Sequence, residues 1–174
     1  MRMSTYLTDP PEIVHREAQP YVAVQRAVTM DTFEKVADRV PELIGWLLQR
    51  GIEPAGAPFL RYLVIDMERE LLVEAGVPVP GDVPGDVDDG GEVAAKVLPE
   101  GRYVVVTHLG HPDDLVAVTA EVLAWASEQG LEWDVDPGDA GERWGCRLEV
   151  FLTDPREQPD MRLWRTELAF RLRD

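Results

Sequence analysis

The residues best placed to do chemistry are Arg147, Glu149 and Phe151, which alternate with Leu148, Val150 and Leu152 in a stretch patterned as a β-strand. Successive strand side chains point to opposite faces, so the apolar three share one face while the guanidinium, carboxylate and ring share the other. A glutamate in mid-strand, beside an aromatic and shortly after Trp144, is costly to bury alone. It calls for a cation or a hydrogen-bond donor. That partner could be Arg147, Arg165 or Arg171 on a solvent-facing sheet, or it could belong to a bound molecule. Arg61, next to Tyr62, would either meet an anionic group or hold Glu149.

A second constellation is His108-Leu109-Gly110-His111-Pro112-Asp113-Asp114. It resembles the Ala-His-Pro-Asp-Asp-Glu motif of zinc-dependent N-deacetylases, but Leu115 stands where that motif has its glutamate. Catalytic zinc takes three protein ligands and an open position, and the remaining histidine, His15, is far upstream. Pro112, Asp113 and Asp114 instead suit the first turn of a helix, where proline fits and negative charge complements the dipole. Asp82, Asp86, Asp88 and Asp89 lack the Asp-x-Asp-x-Asp-Gly spacing of a calcium loop. Neither a metal nor a cofactor is expected. The single cysteine, Cys146, cannot close an intramolecular disulfide and reads as a packed thiol.

The elements that must position Glu149 follow from periodicity. Residues 1–19 read as an extended arm before a first strand over 21–29. Asp31 and Glu34 have capping-box spacing, and Phe33, Val36, Val40, Ile44 and Leu47 recur at helical intervals. Pro41 divides that pattern into a short helix to about Arg39 and a second to Arg50, stopped by Gly51. Strands are predicted over 59–66 and 70–77. The pattern then repeats: strands over 93–98 and 102–108, a helix over 113–129 with Leu115, Val118, Val122 and Trp125 as its stripe and Gly130 as its stop, and strands over 145–153 and 163–172. The chain thus divides into two half-repeats, 20–79 and 93–172, joined by an acidic Gly/Pro loop over 80–92.

Seventeen basic against 33 acidic residues leave a formal charge of -16, which repels nucleic-acid phosphates and anionic membrane surfaces and favours cationic or neutral ligands. No run approaches the roughly 20 apolar residues of a membrane helix, and the N-terminus shows no signal-peptide pattern, so a cytoplasmic location is the default. No nucleophile-base-orienter triad and no nucleotide-binding glycine loop is visible.

Four motifs in order carry a family resemblance: Leu47 to Tyr62, Glu74-Ala75-Gly76-Val77-Pro78-Val79, Leu98-Pro99-Glu100-Gly101-Arg102-Tyr103 with His108-Leu109-Gly110, and Leu148 to Pro155. Together they resemble the GyrI-like small-molecule-binding domain, the effector-binding domain of AraC-type and MerR-type multidrug regulators. The resemblance implies an α+β fold of duplicated strand-helix-strand-strand modules, forming a curved antiparallel sheet with helices on one side and a central ligand cleft. In that family the cleft takes bulky aromatic, often cationic compounds, and a glutamate at the position of Glu149 meets the charge. The family's usual Glu-x-Tyr is here Glu149-Val150-Phe151, which keeps a ring for stacking and loses a phenol hydroxyl.

The leading expectation is a stand-alone binding protein for aromatic, cationic or amphipathic molecules, with Glu149, Phe151, Tyr62, Phe59, Trp144 and Trp164 at the ligand. The arm before the first predicted strand is too short for a helix-turn-helix, so DNA contact would fall to a partner regulator. Two alternatives stand beside it. One is a hydrolase of reactive cyclopropane-bearing aromatic compounds using Glu149 as general base. The other is a gyrase-inhibitor-like module whose acidic surface meets a topoisomerase.

Overall fold

Two short links dictate the shape of this domain. The computed structural model describes residues 10–66, 68–81, 93–138 and 141–174. Its elements are β1 (Glu12–Arg16), β2 (Gln19–Val28), α1 (Glu34–Ala37), α2 (Val40–Gln49), β3 (Phe59–Ile65), β4 (Leu71–Pro78), β5 (Ala94–Leu98), β6 (Gly101–Leu109), α3 (Leu115–Glu128), β7 (Val135–Asp136), β8 (Glu142–Trp144), β9 (Arg147–Phe151) and β10 (Arg165–Arg171). The sheet runs β1-β6-β10-β9-β3-β4-β2-β5, antiparallel throughout, with β7 and β8 hung on β3. Consecutive strands β1 and β2 therefore lie near opposite ends, as do β5 and β6. Six strand spacings would separate β1 from β2 by roughly 29 Å in a flat sheet, whereas the link through Glu17 and Ala18 reaches about 11 Å. The sheet must curl until its ends approach. Residues from both links, Arg16, Glu17, Ala18 and Pro99 among them, accordingly line one cavity of about 350 Å³.

The expected duplication is visible in the order of strands. β2, β4 and β3 form one half and β6, β10 and β9 the other, meeting where β3 pairs with β9. Each half's leading strand is exchanged: β1 lies against β6 and β5 against β2. The helices also end alike. Gly51 (φ 70) and Gly130 (φ 71) take the left-handed conformation, and the next N–H returns to the final turn, Ile52 to Leu47 O and Leu131 to Ala126 O.

Several expectations need correction. The N-terminal arm carries a strand, β1, whose apolar content is too slight to announce it and which is held by its ladder with β6. Asp31 does not cap the first helix; Phe33 is the N-cap residue without a side-chain bond, and the turn is organised instead by Thr32, whose Oγ1 accepts the Thr29 N–H at 2.8 Å. Pro112–Asp114 form a 3-10 turn leading into α3, and the His111 ring rather than an aspartate accepts the Asp113 N–H, at 3.0 Å. β7 and β8 were not anticipated. β8 joins β3 at Val64↔Arg143, just past the irregularity at Tyr62/Val64. Residues 82–92 of the acidic loop and residues 1–9 of the arm lie outside the described residues.

The sheet has two buried faces. One packs against the helices through Leu60, Val73, Val104, Leu168, Leu43 and Val118. The other is a separate cluster that includes Tyr21, Phe59, Leu98, Tyr103 and Leu148. No helix among the described residues is long and apolar enough to cross a membrane.

Gly76 of β4 lies so close to its cross-sheet neighbours that a Cβ there would sit 2.6 Å from the Phe59 ring and 3.1 Å from that of Tyr21. Gly76→Ala is expected to cost about 1–3 kcal/mol in urea unfolding. Gly45 in α2 has open space and should gain about 0.5–1 kcal/mol as alanine. Equal effects of the two substitutions would contradict the packing described.

Candidate functional site

β9 carries Glu149 to the centre of the sheet. Its backbone registers with Leu60 of β3 on one side and Leu168 of β10 on the other, so the side chain emerges on the helix-facing surface where the halves meet. The period-two reading of this strand holds. Arg147, Glu149 and Phe151 line a cavity of about 520 Å³ on that surface, while Leu148 and Val150 line the smaller cavity behind the sheet. The walls come from both halves: Met30 and Phe33 at the entry to α1, and Leu115, Val116 and Thr119 from the first turns of α3. Phe33 stands edge-on to the Tyr62 ring with centroids 6.0 Å apart.

Tyr62 is the partner Glu149 calls for. Its hydroxyl donates across the seam to the carboxylate, 2.5 Å from Oε1 and 2.9 Å from Oε2. The phenol lost at Phe151 is thus supplied from another strand. Burial pushes the Glu149 carboxyl above the usual glutamate range, opposed by the Tyr62 hydrogen bond and by the charge of Arg147. The Tyr62 phenol is driven well up by burial and by the carboxylate beside it.

The ion pairs considered for Glu149 are not made. Arg171 binds Asp134 at 2.8 Å and Asp174 at 3.1 Å. Arg147 lays its guanidinium over rings instead, 4.7 Å from the Phe170 centroid, 4.8 Å from Trp144 and 5.7 Å from Tyr62. Arg61 faces the opposite side, donating to Tyr21 Oη at 2.7 Å and to Gly145 O at 2.8 Å. There Tyr21 donates to Glu74 at 2.6 Å, and Lys96 completes that buried network through an ion pair with Glu74.

Of the six residues expected at a ligand, the structure brings together Glu149, Tyr62 and Phe151. Phe59 is on the other face against Tyr21, because it precedes Leu60 by one residue and strand parity reverses it. Trp144 belongs to β8 and is buried in a cluster with Trp133 and Phe170, centroids 5.8 Å apart, behind Arg147 instead of at the cavity wall. Trp164 sits at the β9–β10 connection, its indole N–H donating to Gln158 O at 2.6 Å. Sequence reasoning passed over Leu115 and Phe33 as core positions, and their helical spacing gave no sign that the core opens there. The Cys146 thiol is buried in the other face, and burial raises it. His108 is buried with Nε2 3.8 Å from Asp114 Oδ2. The His, Cys, Asp and Glu side chains that converge at metal-binding distances among the described residues are His15, Glu17 and Glu100, all exposed and none from the deacetylase-like stretch.

The sequence profile of the GyrI-like small molecule binding domain matches residues 9–173. The chain belongs to that family. Among solved structures, the C-terminal domain of EcmrR superposes with a TM-score of 0.72 at 15% identity, covering 98% of this chain and 99% of that one. The chain spans 57% of the EcmrR chain solved in complex with DNA. SAV2435 bound to tetraphenylphosphonium matches at a TM-score of 0.59 and 10% identity, over 95% of this chain and 94% of that one. A hydrolase from Listeria innocua matches at 0.62 and 18% identity, over 94% and 91%. These likenesses show the GyrI-like fold. No curated protein sequence matches the chain significantly.

The raised pKa of Glu149 has a consequence for stability. An acid whose folded pKa exceeds its unfolded one destabilises the fold once pH passes above both, and the penalty disappears below the unfolded value. Glu149→Gln keeps an acceptor for Tyr62 and removes the charge. It should raise the melting temperature at pH 8 by about 2–4 °C per kcal/mol recovered, with the gain shrinking towards pH 4. A gain that is larger at pH 4 than at pH 8 would show that the carboxylate is not held against its ionisation.

Proposed function

We propose that this domain binds bulky aromatic molecules, cationic or amphipathic, in the cleft over the β3–β9 seam, with Glu149 receiving the ligand's positive charge or hydrogen-bond donor. The observation that carries the reading is a partly buried carboxylate with a neutral phenol as its hydrogen-bond partner and, among the described residues, no ion pair, at a cavity of about 520 Å³ walled by rings and aliphatic side chains. A partly desolvated carboxylate without a direct ion pair is costly, and a ligand cation relieves that cost while excluding further water. Phe151 and Tyr62 offer ring faces, each worth about 0.5–2 kcal/mol to a delocalised cation. Family membership supports a small-molecule site, and the tetraphenylphosphonium bound by SAV2435 supports the ligand class. The role suggested is sequestration or sensing, and the DNA complex of EcmrR, a related fold, supports a link to transcriptional regulation.

A second reading is favoured by the same hydrogen bond. A carboxyl held above its usual range can take a proton from water during attack on a reactive cyclopropane-bearing aromatic compound, with Tyr62 orienting it. Hydrolase-named neighbours of the same fold support asking the question. A single-turnover assay separates the two readings. Recovery of intact compound from the complex selects binding; a product heavier by one water, formed about 100-fold more slowly by Glu149→Gln, selects hydrolysis.

Calorimetry with tetraphenylphosphonium tests the binding reading. Glu149→Gln is expected to weaken affinity about tenfold or more, and Trp164→Phe, away from the cleft, to leave it unchanged. The carboxyl attracts a permanent cation only when ionised, so wild-type affinity should climb as pH rises from 5 to 8, while Glu149→Gln stays flat. Wild-type affinity that ignores pH, together with an unchanged Kd in Glu149→Gln, would remove Glu149 from the site.

A further inference from the structure

Arg147 shares the cleft with Glu149, and its surroundings are unusual for a partly buried arginine. Three rings hold its planar group: Phe170, its cross-strand neighbour at 4.7 Å, Trp144 at 4.8 Å and Tyr62 at 5.7 Å. Ring contacts of this kind attract the cation without satisfying its N–H groups, which lie along the guanidinium edge. Among the described residues the Arg147 side chain makes no hydrogen bond and no ion pair, and its Nε is buried without a partner. The carboxylates acting on it do so from a distance, Glu149 and Glu142. Arg61 shows the contrast, since its Nη groups are tied to Tyr21 and Gly145. A cation positioned by rings, lining a cavity and holding unused donors, is prepared for an acceptor that comes from outside the chain.

We propose that Arg147 is a specificity-determining residue that selects aromatic ligands carrying a carboxylate or comparable acceptor in addition to the positive or donor group met by Glu149. This inference rests on the reading of the cleft as a small-molecule site and deepens it. The site then has two poles, Glu149 and Arg147, two residues apart on the same face of β9. A ligand with a positive pole alone satisfies one of them and is repelled by the other. An amphoteric ligand satisfies both, and the guanidinium's planar fork matches a carboxylate in two parallel hydrogen bonds.

Two dyes of nearly identical shape separate these cases: tetramethylrhodamine, a xanthylium cation with a free benzoate, and its methyl ester, which keeps the cation and masks the acid. Binding is followed by fluorescence anisotropy at pH 7.5 with the full chain. Wild-type protein should bind the free acid about tenfold more tightly than the ester, the size of one charge-assisted hydrogen bond. Arg147→Met retains a long side chain against the rings and removes the charge. It should weaken the acid about tenfold and strengthen the ester, because the like charge is gone. Arg147→Lys keeps the charge without the fork, should keep part of the preference, and serves if the methionine variant fails to fold.

An ester bound as tightly as the acid by the wild type overturns the proposal, as does Arg147→Met weakening both dyes by the same factor. If tetraphenylphosphonium binds in a Glu149-dependent way while the dyes show no preference, only the role of Arg147 falls. If neither dye nor tetraphenylphosphonium binds, the small-molecule reading falls and this inference with it.

Discussion

The hydrogen bond from Tyr62 to Glu149 depends on the pairing of β3 with β9, and most of what is distinctive in this domain depends on it in turn. The two residues come from different halves of the chain, 87 positions apart. They meet because Leu60 and Glu149 are backbone partners at the seam, and Tyr62 lies two residues further along the same face. The cavity lies at this seam, between α1 and α2 packed on β2 and β4 and α3 packed on β6. A polar pair is therefore placed at the wall of a cavity.

Two glutamates in one sheet, one buried and one partly buried, show how differently the same side chain can be used. Glu74, 1% exposed on the face away from the helices, receives both a phenol hydrogen bond from Tyr21 and an ion pair from Lys96. That charge is matched within the chain, and its network ties β2, β4 and β5 together. Glu149 has the phenol alone, and the nearby guanidinium of Arg147 is drawn to rings instead of to the carboxylate. A partly buried charge without a direct ion pair costs stability that a purely structural residue would have no reason to incur. The difference between these two sites is what directs attention to the cleft, more than the size of the cavity does.

Much of this was legible in the residues. The alternation around Glu149 predicted which of its neighbours share its face, and the cavity is lined accordingly by Arg147, Glu149 and Phe151. Helices around Val36, Leu43 and Val122 and their glycine stops at Gly51 and Gly130 followed from period and turn chemistry, as did the duplicated order of elements. The failures have a common cause. Phe59, Trp144 and Trp164 share their aromatic character with Tyr62, but parity, the separate strand β8 and the β9–β10 connection send them elsewhere. β1 escaped notice because its pairing is with β6, about 90 residues away, and a strand with few apolar residues takes its order from its partner.

By itself the amino-acid order determined the periods, the helix ends, the excess of negative charge and the existence of one glutamate that a core would not welcome. These are local matters of side-chain spacing, backbone freedom and composition. Which hydroxyl reaches that glutamate, which guanidinium turns away from it, and how the leading strands are exchanged between halves were decided only by tertiary structure. Such outcomes depend on the sheet's curl and on register across the seam, and both are set by contacts between residues far apart in the chain.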